Sequence, residues 1–300
     1  MENNFREQLS DLLDVCFSVP AGQHFFDDFP VWDPSFCAKG VRYFEAKHPV
    51  SQELMGACGA RTLDLKINPS AHGGGALRVK VAILGAVCCH PNFRKQGIAS
   101  RLVQEATEWA KFEGAAAAFL WGAQQTLYER QGYRFMGAQM RVPLGTLGLS
   151  PWDLTESDPV RHGWTDSLFD LLMPRPDGLV LEKNDLNWYA AHRHVEWYYL
   201  GNPQLPTAYA AVGRGIDLKD HVHEWGGSPE DLRTLFRAIL KRHPKAILLG
   251  SPQRLQGLSL DLRAGINEFL CQAKILDSAD PLGVSTGSNQ GLWLWGLDAS

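Results

Sequence analysis

The 300-residue chain is poor in cysteine: six in all (Cys16, Cys37, Cys58, Cys88, Cys89 and Cys271), with no C-x-x-C pair. That is too sparse for a disulfide scaffold, and buried reduced thiols are the expected state. Long apolar runs are also missing. No window approaches 18 uninterrupted apolar residues, and the N-terminus MENNFREQLSDLLDV has neither a basic nor an apolar signal region. A soluble, cytoplasmic protein without a membrane partner is therefore expected. Nor is there an excess of positive charge. Lys and Arg number 29 against 33 Asp and Glu, a formal net charge of −4, which argues against nucleic acid as the partner.

What remains is 45% hydrophobic and 21% charged, enough for a sizeable core in one large domain or two ordinary ones. The spacing of Phe5, Leu9, Leu12, Leu13 and Cys16 predicts an amphipathic helix. Strands are expected at Val41–Ala46, Glu53–Leu65 and Val79–His90, with a turn-rich segment at Asn68–Gly75. The Val79–His90 run is nearly continuous in apolar residues, as in a strand covered on both faces. Ile98, Leu102, Val103, Ala106, Trp109 and Ala110 make one face of a following helix, stopped at Gly114. A strand at Ala115–Trp121, a short helix at Gln124–Arg130 and a strand at Tyr133–Leu144 close this half. The order implies an α/β fold with a mixed sheet and a right-handed crossover.

After Leu144 the composition shifts to Gly, Ser, Pro and acids, marking a boundary. The second half then echoes the first. Strands at Thr207–Gly213 and His221–Trp225 precede a helix opened by Ser228, Pro229 and a box-closing Asp231. A strand at Lys245–Gly250, a helical segment around Arg254–Arg263, and strands at Asn267–Leu276 and Leu292–Leu297 complete it. Three segments follow from this: 1–146, a linker at 147–184, and 185–300. Net charge divides as about +1 for residues 1–145 and −5 for the rest.

The chemistry concentrates in VCCHPNFRKQGIASRL, Val87–Leu102, where a strand turns at Pro91 and runs into a helix. The first N–H groups of a helix lack intrahelical partners, and the positive end of its dipole faces the loop, so such a junction binds anions. Gly97 allows a pyrophosphate to approach the backbone, and Arg94 and Lys95 add positive charge. About 30 residues on, between a short helix and a strand, comes Leu127-Tyr128-Glu129-Arg130-Gln131-Gly132-Tyr133.

These motifs, Val87-x-Cys89-x-Pro91, Arg94-x-x-Gly97-x-Ala99 and Leu127-Tyr128-Glu129 through Gly132-Tyr133, resemble in type and order those of the GNAT superfamily of acyl-CoA-dependent N-acetyltransferases. The resemblance covers about Phe5–Leu144. It implies a GNAT-type mixed twisted sheet flanked by helices, with two such domains in tandem if the echo is real. It also implies that the backbone of Val87, Cys88 and Cys89 pairs with the pantetheine arm of acetyl-CoA. Amides of Lys95, Gln96, Gly97, Ile98, Ala99 and Ser100, with the Arg94 charge, would hold the pyrophosphate. An amine acceptor would attack the thioester directly, and Tyr128 would protonate the departing thiolate. A phenol suits that role because it stays protonated at neutral pH. Ala99 and Cys89 depart from the family's commoner Gly and Val, preserving size and backbone function.

Other features also admit plainer readings. No carboxylate lies in Val81–Cys89, so Glu53, Asp64, His90 and ordered water all stay open as the base. Vicinal Cys88 and Cys89 face opposite ways on a strand, which favours inert thiols over a nucleophile. The stretch His24–Trp32, with Asp27 and Asp28, suits a cationic acceptor or, more simply, an acidic loop with inward-packed aromatics. His192-x-His194 and His221-x-His223-Glu224 have metal-like spacing but no third-ligand pattern, and no metal is expected. The second half has GGSPED in place of R-x-x-G-x-A and Asp261 in place of Tyr128, so it is expected to be catalytically silent. A non-catalytic acyl-CoA sensor is the alternative function, and a monomer or small homo-oligomer the expected assembly.

Overall fold

The computed structural model describes residues 2–36, 38–67, 77–153, 159–279, 282 and 292–299. Helix α1 (Glu2–Cys16) buries Leu9, Leu12 and Leu13, one stripe at helical spacing, and a single turn, α2 (Phe25–Asp28), follows. Strands β1 (Val41–Lys47), β2 (Leu54–Ile67) and β3 (Leu77–Cys89) lead into α3 (Ile98–Phe112), β4 (Ala117–Leu120) and α4 (Gln125–Glu129). The chain continues through β5 (Arg134–Met136), β6 (Gln139–Pro143), β7 (Val160–His162), α5 (Ser167–Leu172), β8 (Gly178–Leu179) and α6 (Leu186–Ala190). The remainder holds β9 (Glu196–Asn202), β10 (Leu205–Val212), β11 (His221–Gly226), α7 (Pro229–Arg242), β12 (Ile247–Gly250), α8 (Pro252–Gln256), β13 (Ile266–Glu268) and β14 (Cys271–Ile275). None of these helices is long and apolar enough to cross a membrane.

Two mixed seven-stranded sheets result. The first has the order β1-β2-β3-β4-β14-β5, with β8 added to β2; the second, read from its far edge, is β7-β9-β10-β11-β12-β6-β13. Leaving aside β7 and β8, replacing β9, β10, β11 and β12 by β1, β2, β3 and β4, β6 by β14, and β13 by β5 turns one six-strand order into the other. The faint echo in the sequence is thus a repeat of topology. In each half three antiparallel strands, a helix and a fourth strand parallel to the third occur in the same order.

Each half gives one strand to the other's sheet. The segments expected to be single strands at Tyr133–Leu144 and Asn267–Leu276 are each split in two, and the parts pair in different sheets. Arg134↔Ala273, Phe135↔Gln272 and Met136↔Cys271 lie in the first sheet, and Gln139↔Glu268, Met140↔Asn267 and Arg141↔Ile266 in the second, all in one antiparallel register. A continuous two-stranded ribbon therefore crosses between the sheets. It bends at Gly137, where φ is +68° and a Cβ would lie 2.8 Å from that of Leu270. Only glycine meets both demands.

Two further expectations are corrected. Leu292–Leu297 is buried but belongs to no strand, and residues 296–299 form a 3₁₀ turn. Its main chain bonds to side chains instead: Leu297 N donates to Glu224 Oε1 at 3.0 Å and Trp295 N to Asp298 Oδ2 at 3.0 Å. The helix placed around Arg254–Arg263 is instead α8, which starts earlier because Ser251 caps it by accepting from Arg254 N. In α7 Ser228 accepts from Asp231 N as expected. The turn at Asn68–Gly75 lies outside the described residues; apart from it and the divided strand at Tyr133–Leu144, the first half's helices and strands overlap the segments where the periodicity puts them.

Candidate active site

The centre of the first sheet is irregular in a useful way. Along β2 and β3 the register runs Gly59↔Gly85 and then Ala57↔Cys88, so Ala86 and Val87 together oppose Cys58. This is a β-bulge, with Ala86 at φ +51°. Trp32 backs it. A Cβ on Gly59 would lie 2.6 Å from the indole and one on Gly85 2.5 Å from its Cε2 and closer still to Cζ2, so the paired glycines leave the slot that Trp32 fills. The Trp32 carbonyl accepts from Tyr43 OH at 2.5 Å.

On its other side β3 pairs with β4 only at Ala82↔Ala118 and Ile83↔Phe119. Past that point the strands diverge. His90 N donates back to Met55 O on β2 at 2.9 Å, so by the alternation of a ladder the Cys89 amide points the other way, into the opening. A 3₁₀ turn at Pro91–Phe93 then leads through Lys95 (φ +65°) and Gly97 (φ +77°) into α3. The first helical hydrogen bond is Arg101 N to Gly97 O at 3.0 Å, which leaves the amides of Ile98, Ala99 and Ser100 without an intrahelical acceptor. Arg94 folds back, Nε donating to Cys89 O at 3.3 Å. Gln131, which no sequence motif singles out, fixes the start of α3 by donating to Ser100 O and Oγ at 3.0 and 3.1 Å.

Tyr128 is buried in α4, its ring lying over Gly122, where a Cβ would come 2.8 Å from the phenol oxygen. Its hydroxyl forms no hydrogen bond among the described residues. Burial, with a smaller contribution from Cys58, pushes the phenol up to about 12. Tyr133, by contrast, is satisfied: its hydroxyl pairs with Thr107 Oγ1 at 2.7 Å. The fold thus brings Val87–Cys89, the Arg94–Ser100 turn and the β4–α4 junction that carries Tyr128 to one end of the first sheet.

A group the sequence did not single out joins them. Cys16, the last residue of α1, is half-buried, and its thiol is held below the ordinary range by a hydrogen bond with the Cys88 thiol and, more weakly, by Arg94 and the Cys89 main chain. The same interaction with Cys16, together with burial, raises Cys88. Contact across 72 positions in sequence leaves no local signal.

Of the candidate bases, Glu53 is exposed and bonded to Ser51 Oγ. Asp64 is exposed opposite Lys80, five residues from Gly85 and so about 16 Å along the strand. Only His90 adjoins the opening, with Nδ1 accepting from Asn92 N at 3.3 Å. The aromatics Phe25, Phe26, Phe29 and Trp32 face the core. Asp28, 2% exposed, is bonded to His194 Nδ1 at 2.5 Å and Ile216 N at 3.0 Å, and Asp27 to His24 N and to Arg193 Nε at 3.1 Å. These acids tie the two halves together. The adjoining cavity of about 650 Å³, lined by Arg6, Glu7, Asp11, Asp27, Asp33 and Arg193, lies along the middle of α1.

The histidines of the second half do not converge. His194 binds Asp28, His221 contacts Lys219 O and Arg141, His223 Nε2 bonds to Gly213 O, and His192 is buried among Trp188 and Tyr189. Among the described residues no cluster of three His, Cys, Asp or Glu could hold a metal. The second sheet repeats the bulge, with Ala211↔Glu224 followed by Val212↔Val222, and the divergence, with only His221↔Ile247 and Val222↔Leu248 paired. There Trp225 Nε1 crosses to Leu249 O at 2.8 Å, Trp295 packs on Trp225, and Glu224 holds Leu297. Asp261 is engaged with Arg263 at 2.5 Å.

Residues 6–133 match the model of the Acetyltransferase (GNAT) family. A search of curated proteins by sequence finds no match. Among solved structures the chain is similar to a GCN5-related N-acetyltransferase from Anabaena variabilis, with a TM-score of 0.57 and 17% identity over 92% of this chain and 71% of that one. A GCN5-related N-acetyltransferase from Kribbella flavida gives 0.59 and 18% over 93% and 70%. Eis1 from Mycobacterium abscessus gives 0.57 and 16% over 91% and 72%. At these identities the likeness is one of fold, and it extends over both halves.

Proposed function

Since residues 6–133 form an acetyltransferase domain of the GNAT family, we propose that the chain moves an acetyl group from acetyl-CoA to an amine, and that the opening between β3 and β4 is where this happens. The observation that carries the reading is the divergence of β3 from β4 just before α3, which sets unpaired main-chain groups and the free amides of a helix N-terminus side by side. In this reading Val87, Cys88 and Cys89 offer main-chain partners to the pantetheine arm. The Lys95–Ser100 amides hold the pyrophosphate, with Arg94 and Lys95 countering its charge. Hydrogen bonding from the Cys89 amide polarises the thioester carbonyl. Tyr128, buried and protonated, gives its proton to the departing thiolate.

The segments at 1–146, 147–184 and 185–300 serve as catalytic unit, connection and accessory unit, with one strand exchanged between the first and last. Only the first opening is used. In the second, the Trp225 indole and the 292–298 segment occupy the divergence, and Glu230 and Asp231 face the helix N-terminus where a phosphate would have to sit. Thiol release from acetyl-CoA, followed with a panel of small amines, peptides and lysine-containing substrates, tests the assignment. Release with at least one acceptor class is expected. Tight acetyl-CoA binding with no release across the panel would instead establish a non-catalytic acyl-CoA sensor.

A further inference from the structure

The second half puts one buried polar side chain of its own into the first sheet. Gln272, on β14, lies directly opposite Leu120 at the end of β4 and, on its other side, opposite Phe135 of β5. Residues directly opposite each other share a face of the sheet, and Leu120 belongs to the buried cluster that includes the α3 side chains and Tyr128. Gln272 therefore stands on the Tyr128 face, one strand spacing of about 4.8 Å from Leu120. Gly122, over which the Tyr128 ring lies, follows Leu120 by two residues. The last pairing of β4 with β3 is Ile83↔Phe119, so the Leu120 row is where the opening begins.

Gln272 is 4% exposed, yet its carboxamide forms no hydrogen bond among the described residues; Oε1 is fully enclosed and Nε2 is not. A buried carboxamide left unpaired destabilises a fold, and an apolar side chain of similar size would avoid the loss. Such a group in a central strand calls for a reason. Among the described residues of the first sheet only Arg61 also has an enclosed unpaired atom, and its Nη2 is bonded to Asp185 at 2.6 Å. Gln272 and Tyr128 are thus two unpartnered polar side chains, one from each half, on one face where the opening begins.

Taking the acyl-CoA reading as its premise, we propose that Gln272 is a second hydrogen-bond donor to the departing sulfur, a catalytic residue that the second half supplies to the first. The amine nitrogen bonds to the thioester carbonyl carbon, and the bond from that carbon to the CoA sulfur breaks. The sulfur keeps the electron pair, accepts an N–H from Gln272 Nε2 and takes the Tyr128 proton. The proton lost by the acetylated nitrogen restores the phenol. Gln272 itself neither gains nor loses a proton; it stabilises the thiolate as it forms. The exchanged strand then completes the reaction site as well as the sheet.

The test uses the full chain with Gln272→Leu and, in case the branched side chain disturbs folding, Gln272→Met, which keeps the length. Either variant should be at least as stable as the wild type in urea unfolding, because an unpaired group has been removed. Turnover with an accepted amine should fall roughly 30-fold, while acetyl-CoA affinity by titration calorimetry changes little. A purely structural glutamine would leave the product thiol untouched, so the CoA thiol is titrated in its complex by the ultraviolet absorbance of the thiolate. Its pKa should be higher in the variants than in the wild type, by about one unit. If acetyl-CoA binds and amines are acetylated while turnover and thiol pKa stay at wild-type values in the variants, the inference is overturned and the acetyltransferase assignment stands. Variants that lose stability and turnover together, with the thiol pKa unchanged, overturn it as well. If the wild-type chain binds no acetyl-CoA, both readings fall.

Discussion

Tyr128 and Trp32 show how much a single side chain can decide at this site. The Tyr128 phenol is buried over Gly122 with no acceptor for its proton among the described residues, and its raised pKa keeps that proton in place through pH 10. Replacing it by Phe removes a proton donor and leaves the packing intact. Turnover should fall roughly a hundredfold while acetyl-CoA affinity by calorimetry changes little; unchanged turnover would remove Tyr128 from the mechanism. Trp32 acts by shape. Since a Cβ on Gly85 would lie 2.5 Å from the indole Cε2, Gly85→Ala should cost about 1–3 kcal/mol in urea unfolding, and Trp32→Phe in the same chain should restore part of it. Tyr128 and the Arg94–Ser100 turn were legible because their signal is local, a few residue types at fixed spacing. Trp32 was not, because it acts through Gly59 and Gly85, both more than 20 positions away, and an aromatic among apolar neighbours reads simply as core.

At the scale of elements, alternation along a strand reports which face is buried but not which strand lies alongside. Hence 133–144 and 267–276 were recognisable as β-structure while their exchange between sheets was not. The 292–297 segment carries the same lesson further, since its apolar residues record burial without any ladder. Its anchors are a buried charge cluster: Arg175 pairs with Asp298 and, at 3.3 Å, with Glu224. One guanidinium cannot balance two ionised carboxylates away from water. Asp298, closer to Arg175 and accepting from the amides of Leu179 and Trp295, keeps the charge. Glu224 keeps the proton, burial pushing it up to about 8. A carboxyl whose folded value lies above the ordinary 4.5 stabilises the fold fully at low pH and loses that contribution as pH rises from about 4.5 through about 8. Unfolding free energy should therefore decline across this window by a few kcal/mol, since each tenfold gain in proton affinity on folding is worth about 1.4 kcal/mol. Glu224→Gln, which stays neutral, should flatten that slope in urea titrations at a series of pH values. An equal slope in both proteins would place the proton elsewhere.

For the whole molecule, the repeat read faintly from the sequence is a duplication of topology whose halves have different fates. One keeps an open divergence before a helix with free amides; in the other, the same divergence holds Trp225 and the 292–298 segment. The exchanged strands make the halves physically interdependent, although the boundary in composition after Leu144 suggests separable units. In the first sheet β14 lies between β4 and β5, pairing with β4 from Ile275↔Ala117 to Gln272↔Leu120. A chain ending at residue 146 would lose that strand, leaving the apolar β4 as an unpaired edge, its pairing with β3 reduced to two positions. Arg61 would also lose Asp185, its partner at 2.6 Å, and remain as an uncompensated buried charge. The 1–146 fragment should therefore be aggregated or lack a cooperative unfolding transition, and bind no acetyl-CoA, despite containing every motif of the family. Supplying residues 147–300 as a separate chain during refolding should restore both properties, because the missing strand and carboxylate then return together. A 1–146 fragment that folds cooperatively and binds acetyl-CoA alone would show that the exchange joins two self-sufficient domains.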